Sequence, residues 1–88
     1  MNIEIKKSFR KDIDKIHDEK ILTFVFETIK HIQQAKSIKE IKHIKKMEGA
    51  KKHYRIRVGN YRLGLFIDSK TVFFVRFLHR KEIYRYFP

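Results

Sequence analysis

The 88-residue chain carries 22 Lys and Arg against 10 Asp and Glu, a formal charge of +12 with a pI near 10.1, and no cysteine. That length makes one domain, residues 1–88, with a small core; the missing cysteine excludes a disulfide framework or a thiolate zinc site; and no stretch resembles a signal peptide or is long enough to cross a bilayer. The charge exceeds what solubility requires and attracts polyanions such as nucleic acid, the ribosome, an anionic membrane or an acidic protein, without choosing among them. A reducing cytoplasm fits the absence of cysteine.

Asn2 to Lys6 alternates apolar and polar residues and predicts a short strand with Ile3 and Ile5 on one face. Ser8 stands at an N-cap position. Phe9, Ile13 and Ile16 follow at helical spacing, so a first helix is expected from Phe9 to His17. Asp18 is a second N-cap, and Glu19 suits the positive end of a helix. The stripe Ile21, Leu22, Val25, Phe26, Ile29 and Ile32 then predicts a helix from Glu19 to Ala35. Two such helices form a hairpin whose apolar side covers a sheet built by the rest of the chain. Lys36 to Met47 sets Ile38, Ile41 and Ile44 among lysines. It reads as a short amphipathic helix, an irregular connection or a partly extended segment. Its lysines are either a solvated face or a nucleic-acid arm.

Tyr54 to Asp68, YRIRVGNYRLGLFID, reads as two strands joined by a Gly59-Asn60 turn. That loop puts Val58 opposite Tyr61, Arg57 opposite Arg62 and Arg55 opposite Gly64, where open space is expected beside Arg55. Tyr54, Ile56, Val58, Tyr61, Leu63, Leu65 and Ile67 then face the helices, and Arg55, Arg57 and Arg62 face the other way. Asp68-Ser69-Lys70 is a second turn, and Thr71 to Leu78 reads as a strand buried on both faces. With a two-residue loop, alternation puts Arg76 on the helix side; a shift of one residue reverses this. Ile83 and Phe87 in the tail stand at helical spacing. The expected class is α+β: an N-terminal strand and a two-helix hairpin on a mainly antiparallel twisted sheet, with a short C-terminal helical segment.

Like charges directly across a strand pair are destabilising. Arg57 opposite Arg62 therefore signals an anion, for which the planar guanidinium fork is suited. Ten acids cannot pair 22 bases internally. In the tail, His79 titrates near neutrality, Arg80 can stabilise charge on a phosphate, and Tyr84 offers a hydroxyl. Tyr84 and Tyr86 can also stack on bases. Lys52, Lys81 and Arg85 add to the phosphate-binding candidates Arg55, Arg57 and Arg62, while Arg57, Arg62, His79, Arg80 and Tyr84 are the catalytic candidates. No glycine-rich phosphate loop, HExxH or acid cluster for Mg²⁺ is present, so no metal or other cofactor is expected. Metal-independent cleavage suits RNA, whose 2′-hydroxyl is a built-in nucleophile.

The order strand, two helices, YRIRVGNYRLGLFID, apolar strand and HRKEIYR resembles the RelE/ParE superfamily of bacterial toxins from type II toxin–antitoxin systems, over essentially the whole chain. The resemblance implies a RelE-like (microbial RNase-like) fold. It implies a ribosome-dependent mRNA endonuclease that works in the A site of the 70S ribosome and leaves a 2′,3′-cyclic phosphate. It implies a cognate acidic antitoxin as partner, no membrane, and a cytoplasmic location. Arg55 and Arg57 fall where the family often has lysines, Arg62 on the arginine of the YR pair, Arg80 on the arginine after the last strand, and Tyr84 on the C-terminal tyrosine that activates the 2′-hydroxyl. His79 stands where RelE itself has no histidine; some relatives use a histidine as acid or base, a role open to His79. Two other readings stay open: a ParE-like inhibitor of DNA gyrase without nuclease activity, and a non-catalytic basic module that binds RNA or the ribosome.

Overall fold

Five strands form one mixed sheet in the computed structural model, which describes residues 1–88. The elements are β1 (Asn2–Ile5), α1 (Lys7–Asp14), α2 (Glu19–Gln34), a 3₁₀ turn (Ile38–Glu40), β2 (Ile44–Lys46), β3 (His53–Val58), β4 (Tyr61–Asp68), β5 (Thr71–His79) and α3 (Ile83–Tyr86). The strand order is β1-β5-β4-β3-β2; β1 runs parallel to β5, and every other neighbour is antiparallel.

Helix α2 begins where its cap predicts. The Asp18 carboxylate accepts the backbone N–H groups of Lys20 and Ile21 at 2.9 and 3.3 Å. Val25 and Ile32 are fully buried, whereas Phe26, counted in the expected stripe, is 56% exposed and Phe24 is 48% exposed. The apolar stripe is wider than the part of the sheet it covers. At the far end the Met1 ammonium donates to the carbonyls of Ile32, Gln33 and Ala35, a cation at the negative pole of the helix.

Helix α1 departs from expectation at both ends. It starts at Lys7 and stops at Asp14, after which Lys15 and Ile16 close i to i−3 turns onto Asp12 and Ile13. Ser8 is not its cap, because its hydroxyl donates to the carbonyl of Val75 on β5. The reason lies in the sheet. β1 pairs only with Thr71 to Phe74, leaving the rest of that edge of β5 without a strand. Groups along α1 and just before it take over: the Lys6 N–H reaches the Phe74 carbonyl at 2.9 Å, Ser8 follows, and Asp12 accepts the Phe77 N–H at 2.9 Å.

The lysine-rich segment resolves into one turn of 3₁₀ helix and the three-residue strand β2, which pairs Ile44, Lys45 and Lys46 with Ile56, Arg55 and Tyr54. The β3–β4 register is as read from the turn: Val58 faces Tyr61, Arg57 faces Arg62, and Arg55 faces Gly64. Only Gly59 of the two turn residues takes positive φ, at 58°, which is where a type II′ hairpin requires glycine.

The second hairpin also has its two-residue loop, and the side of Arg76, left open by the sequence, is decided by a shift within the strand rather than in the loop. Leu65 pairs with Phe74 and Gly64 with Arg76, so Val75 is an extra residue in β5. A β-bulge of this kind reverses alternation beyond it. Arg76 therefore shares the face of Gly64 and Arg55.

The inner face packs against α1 and α2 in one core that includes Phe9, Val25, Ile32, Ile56, Leu63, Leu65, Phe74 and Phe77. Phe9 meets the rings of Phe74 and Phe77 edge-on at 5.4 and 6.4 Å. A separate small cluster lies on the outer face, where Ile83 and Phe87 of the tail pack with Met47 against Val75 and Leu78. No helix is long and apolar enough to cross a membrane.

Candidate nucleic-acid interface

Strand alternation brings Arg55, Arg57 and Arg62 to the outer face. Their charges act on one another: the pKa of Arg62 is lowered, first by desolvation, then by the charges of Arg55 and Arg57, with Arg80 adding to the effect. Tyr84 acts in the opposite direction and raises the pKa of Arg62. Four guanidinium groups and one phenol thus share one electrostatic neighbourhood. Arg62 also donates to the carbonyls of Gly59 and Tyr61 at 3.0 and 2.9 Å, which anchors it to the turn. The Arg80 N–H bonds the Asn60 carbonyl at 2.8 Å, tying the start of the tail to the tip of the first hairpin.

None of these four arginines has a carboxylate within 4.0 Å; the chain's two ion pairs are Lys52 with Asp68 and Arg76 with Asp12. Arg76 is drawn to Asp12 by paired bonds of 2.8 and 3.2 Å, and its pKa is raised chiefly by that hydrogen bonding. Asp12 is 6% exposed and also holds the Phe77 N–H, so it is fully employed.

Helix α3 positions the phenol. Ile83 and Phe87 are buried, one turn apart, and pin the helix to the sheet. Tyr84 points away from that contact and is 63% exposed. The space expected beside Arg55 above Gly64 is occupied: a Cβ at Gly64 would lie 2.9 Å from ring carbons of Phe87. Glycine is needed there so that the Phe87 ring can lie on the strand backbone. Next to Arg55 and Tyr84 lies a hollow of about 300 Å³, lined also by Lys45, Lys46, Met47 and Glu48.

The other sequence candidates are placed differently. Lys52 is held by Asp68 at 2.8 Å, at the end of β3 away from the Gly59 turn. Lys81 and Arg85 are exposed in the tail, without an acidic partner. His79 pairs with Tyr61 on the inner-face side of the sheet, against whose ring it stands edge-on at 5.6 Å, and its Nδ1 takes the Lys81 N–H at 3.2 Å. It lines a cleft of about 370 Å³ with Asp12, Lys15, Tyr61, Glu82 and Tyr86, apart from the arginine group. Sequence reading missed Lys45, which faces Arg55 across β2 and β3 and adds a second like-charged pair. A three-residue strand is too short to show alternation, so its register carried no signal. No three His, Asp or Glu side chains converge closely enough to hold a metal ion.

Comparison with known proteins gives a consistent picture. Residues 3–84 match the family described as ParE toxin of type II toxin-antitoxin system, parDE. Over the full length of both chains the sequence is 41% identical to Toxin RelE3 of Methanocaldococcus jannaschii. The fold superposes on a chain of the RelB-RelE antitoxin-toxin complex from Methanococcus jannaschii with a TM-score of 0.82 and 40% identity, covering 97% of this chain and 99% of that one. A chain of the toxin-antitoxin complex RelBE2 from Mycobacterium tuberculosis gives 0.69 and 25% identity, with 90% and 96% covered.

Proposed function

Because the chain belongs to the RelE/ParE family of toxins from type II toxin–antitoxin systems, we propose that it is an endoribonuclease that cuts mRNA in the ribosomal A site and so stops translation. The observation that carries this reading is the outer face itself. Arg55, Arg57, Arg62 and Arg80 stand together without a carboxylate, beside an exposed phenol. A phosphodiester supplies the missing negative charge, and the phenol supplies a base.

In this mechanism the arginines hold the phosphate and stabilise the charge that builds on its oxygens as phosphorus becomes five-coordinate. Tyr84, as phenolate, takes the proton of the 2′-hydroxyl. The 2′ oxygen bonds to phosphorus and the P–O5′ bond breaks, leaving a 2′,3′-cyclic phosphate and a 5′-hydroxyl. Guanidinium keeps its protons near neutrality, so water, which reaches the exposed Tyr84 and Arg80, returns a proton to O5′. His79 takes no part, because it stands on the other side of the sheet. The two solved relatives described above come from complexes with antitoxins, which supports an acidic antitoxin that covers the arginines of this chain.

On programmed ribosomes the purified protein should cut mRNA within codons, and Arg80→Ala or Tyr84→Phe should each slow cleavage at least ~10-fold. Unchanged rates in both variants overturn the assignment. Intact transcripts with damaged DNA after induction would point to gyrase instead.

A further inference from the structure

An antiparallel sheet with one solvated face ordinarily carries polar residues there. The outer face breaks this rule at the end away from the Gly59 turn. Phe66 of β4 and Phe73 of β5 are cross-strand partners, and His53 of β3 is the partner of Phe66 on its other side. Their rings adjoin in order, His53 to Phe66 at 5.1 Å and Phe66 to Phe73 at 5.6 Å. At one end Lys6 Nζ lies 5.1 Å from the centre of the Phe73 ring. At the other, His53 meets Phe87 edge-on at 5.5 Å, in the segment that carries Tyr84. All three strand rings are partly exposed, and α1 and α2 pack on the opposite face. The result is an unbroken row of rings that starts beside the arginine group and ends under a lysine.

We propose that this row is a stacking platform for the bases of single-stranded RNA and holds nucleotides that flank the cut phosphate. The proposal rests on the reading of the outer face as an RNA surface and extends it. Aromatic faces accept any base, which suits a site that must follow variable sequence. The charges near the row support bases over phosphates as its ligand. Glu4 is the register partner of Phe73, and Lys52 nearby is committed to Asp68. Phosphates therefore sit on Arg57 and Arg62 at one end and reach toward Lys6 at the other, while the bases turn inward between them. Because partly exposed His53 adjoins the segment that carries Tyr84, one strand can span both regions without leaving the protein.

The test uses a single-stranded RNA of about a dozen nucleotides with 2′-O-methyl sugars, which cannot be cut, and an abasic phosphodiester strand of equal length. Binding to the full chain is followed by fluorescence anisotropy. The unmodified protein should bind the base-carrying strand about tenfold more tightly than the abasic one; equal affinities overturn the proposal without any substitution. Phe66→Leu with Phe73→Leu keeps apolar volume and removes both rings. It should remove most of that tenfold preference and leave abasic binding unchanged, while Phe66→Tyr with Phe73→Tyr should keep it. Retention of the preference in the leucine variant overturns the platform. So does loss of affinity for the antitoxin with RNA binding intact, which would assign the row to a protein partner. Uncleavable RNA reports binding alone, so failure here leaves cleavage by Arg80 and Tyr84 standing, and failure of cleavage leaves the platform standing.

Discussion

The two faces of the sheet are made by the same three long strands, yet they obey different rules. On the inner face Ile56, Leu63, Leu65 and Phe74 are buried with at most 1% exposure and pack on helices. Each of those side chains gains by leaving water. On the outer face the strands set Arg55, Arg57 and Arg62 side by side, and the folded protein keeps their repulsion. Under the proposed function, that repulsion is what a bound phosphate relieves. Arg76 shows the contrast within one residue type, since it starts from the outer face and is neutralised by a buried acid at the sheet edge.

The largest effect should come from breaking that one neutralised arginine. Arg76→Met leaves the carboxylate of Asp12 buried with a single N–H for company, and should destabilise by about 3 kcal/mol in urea unfolding. The pKa of Arg76 is raised in the folded chain. Its contribution is thus fully present below the unfolded value and is lost only as pH rises through the still higher folded one. The loss on substitution should therefore be flat from neutral to mildly alkaline pH.

A smaller change in stability, with a larger change in activity, is expected at Gly64. Alanine there would force the Phe87 ring to move. We expect about 1 kcal/mol of destabilisation. Because Phe87 fixes the helix that carries Tyr84, cleavage should fall ~10-fold or more. A variant that loses stability and activity in proportion would erase the distinction between fold and positioning.

The smallest effect has the opposite sign. Arg57→Gln relieves the cross-strand repulsion and should stabilise the protein by about 0.5 kcal/mol, while RNA binding weakens. The folded pKa of Arg62 lies below its unfolded value. Its charge therefore opposes folding throughout the neutral range, and relief comes only as pH rises through that folded value. Inorganic phosphate should raise the melting temperature of the unmodified protein, and should raise it less in Arg57→Gln.

How far the sequence revealed this depended on the reach of each signal. The Gly59-Asn60 turn fixes the register of the first hairpin within a few residues, and Asp18 and the Ile83–Phe87 pair act within one helical turn. Those features were legible. Ser8 was misread because its partner, the Val75 carbonyl, is distant in sequence. The bulge at Val75 has no marker in an apolar run, so the sequence left the side of Arg76 open. The side of His79 follows from the register of the long hairpin, not from its neighbours in HRKEIYR. Gly64 was noticed, but only the tertiary fold shows that Phe87 fills the gap.

The arrangement at the outer edge of β5 has a further consequence for solubility and assembly. An unpaired strand edge invites pairing with another chain. Here the edge beyond β1 is closed by Ser8 and Asp12 of a helix, which cannot template a further strand. Losing Asp12 would both free the Phe77 N–H and reopen that edge. Such a variant should therefore associate as it loosens, and its unfolding should depend more steeply on concentration than that of the unmodified chain.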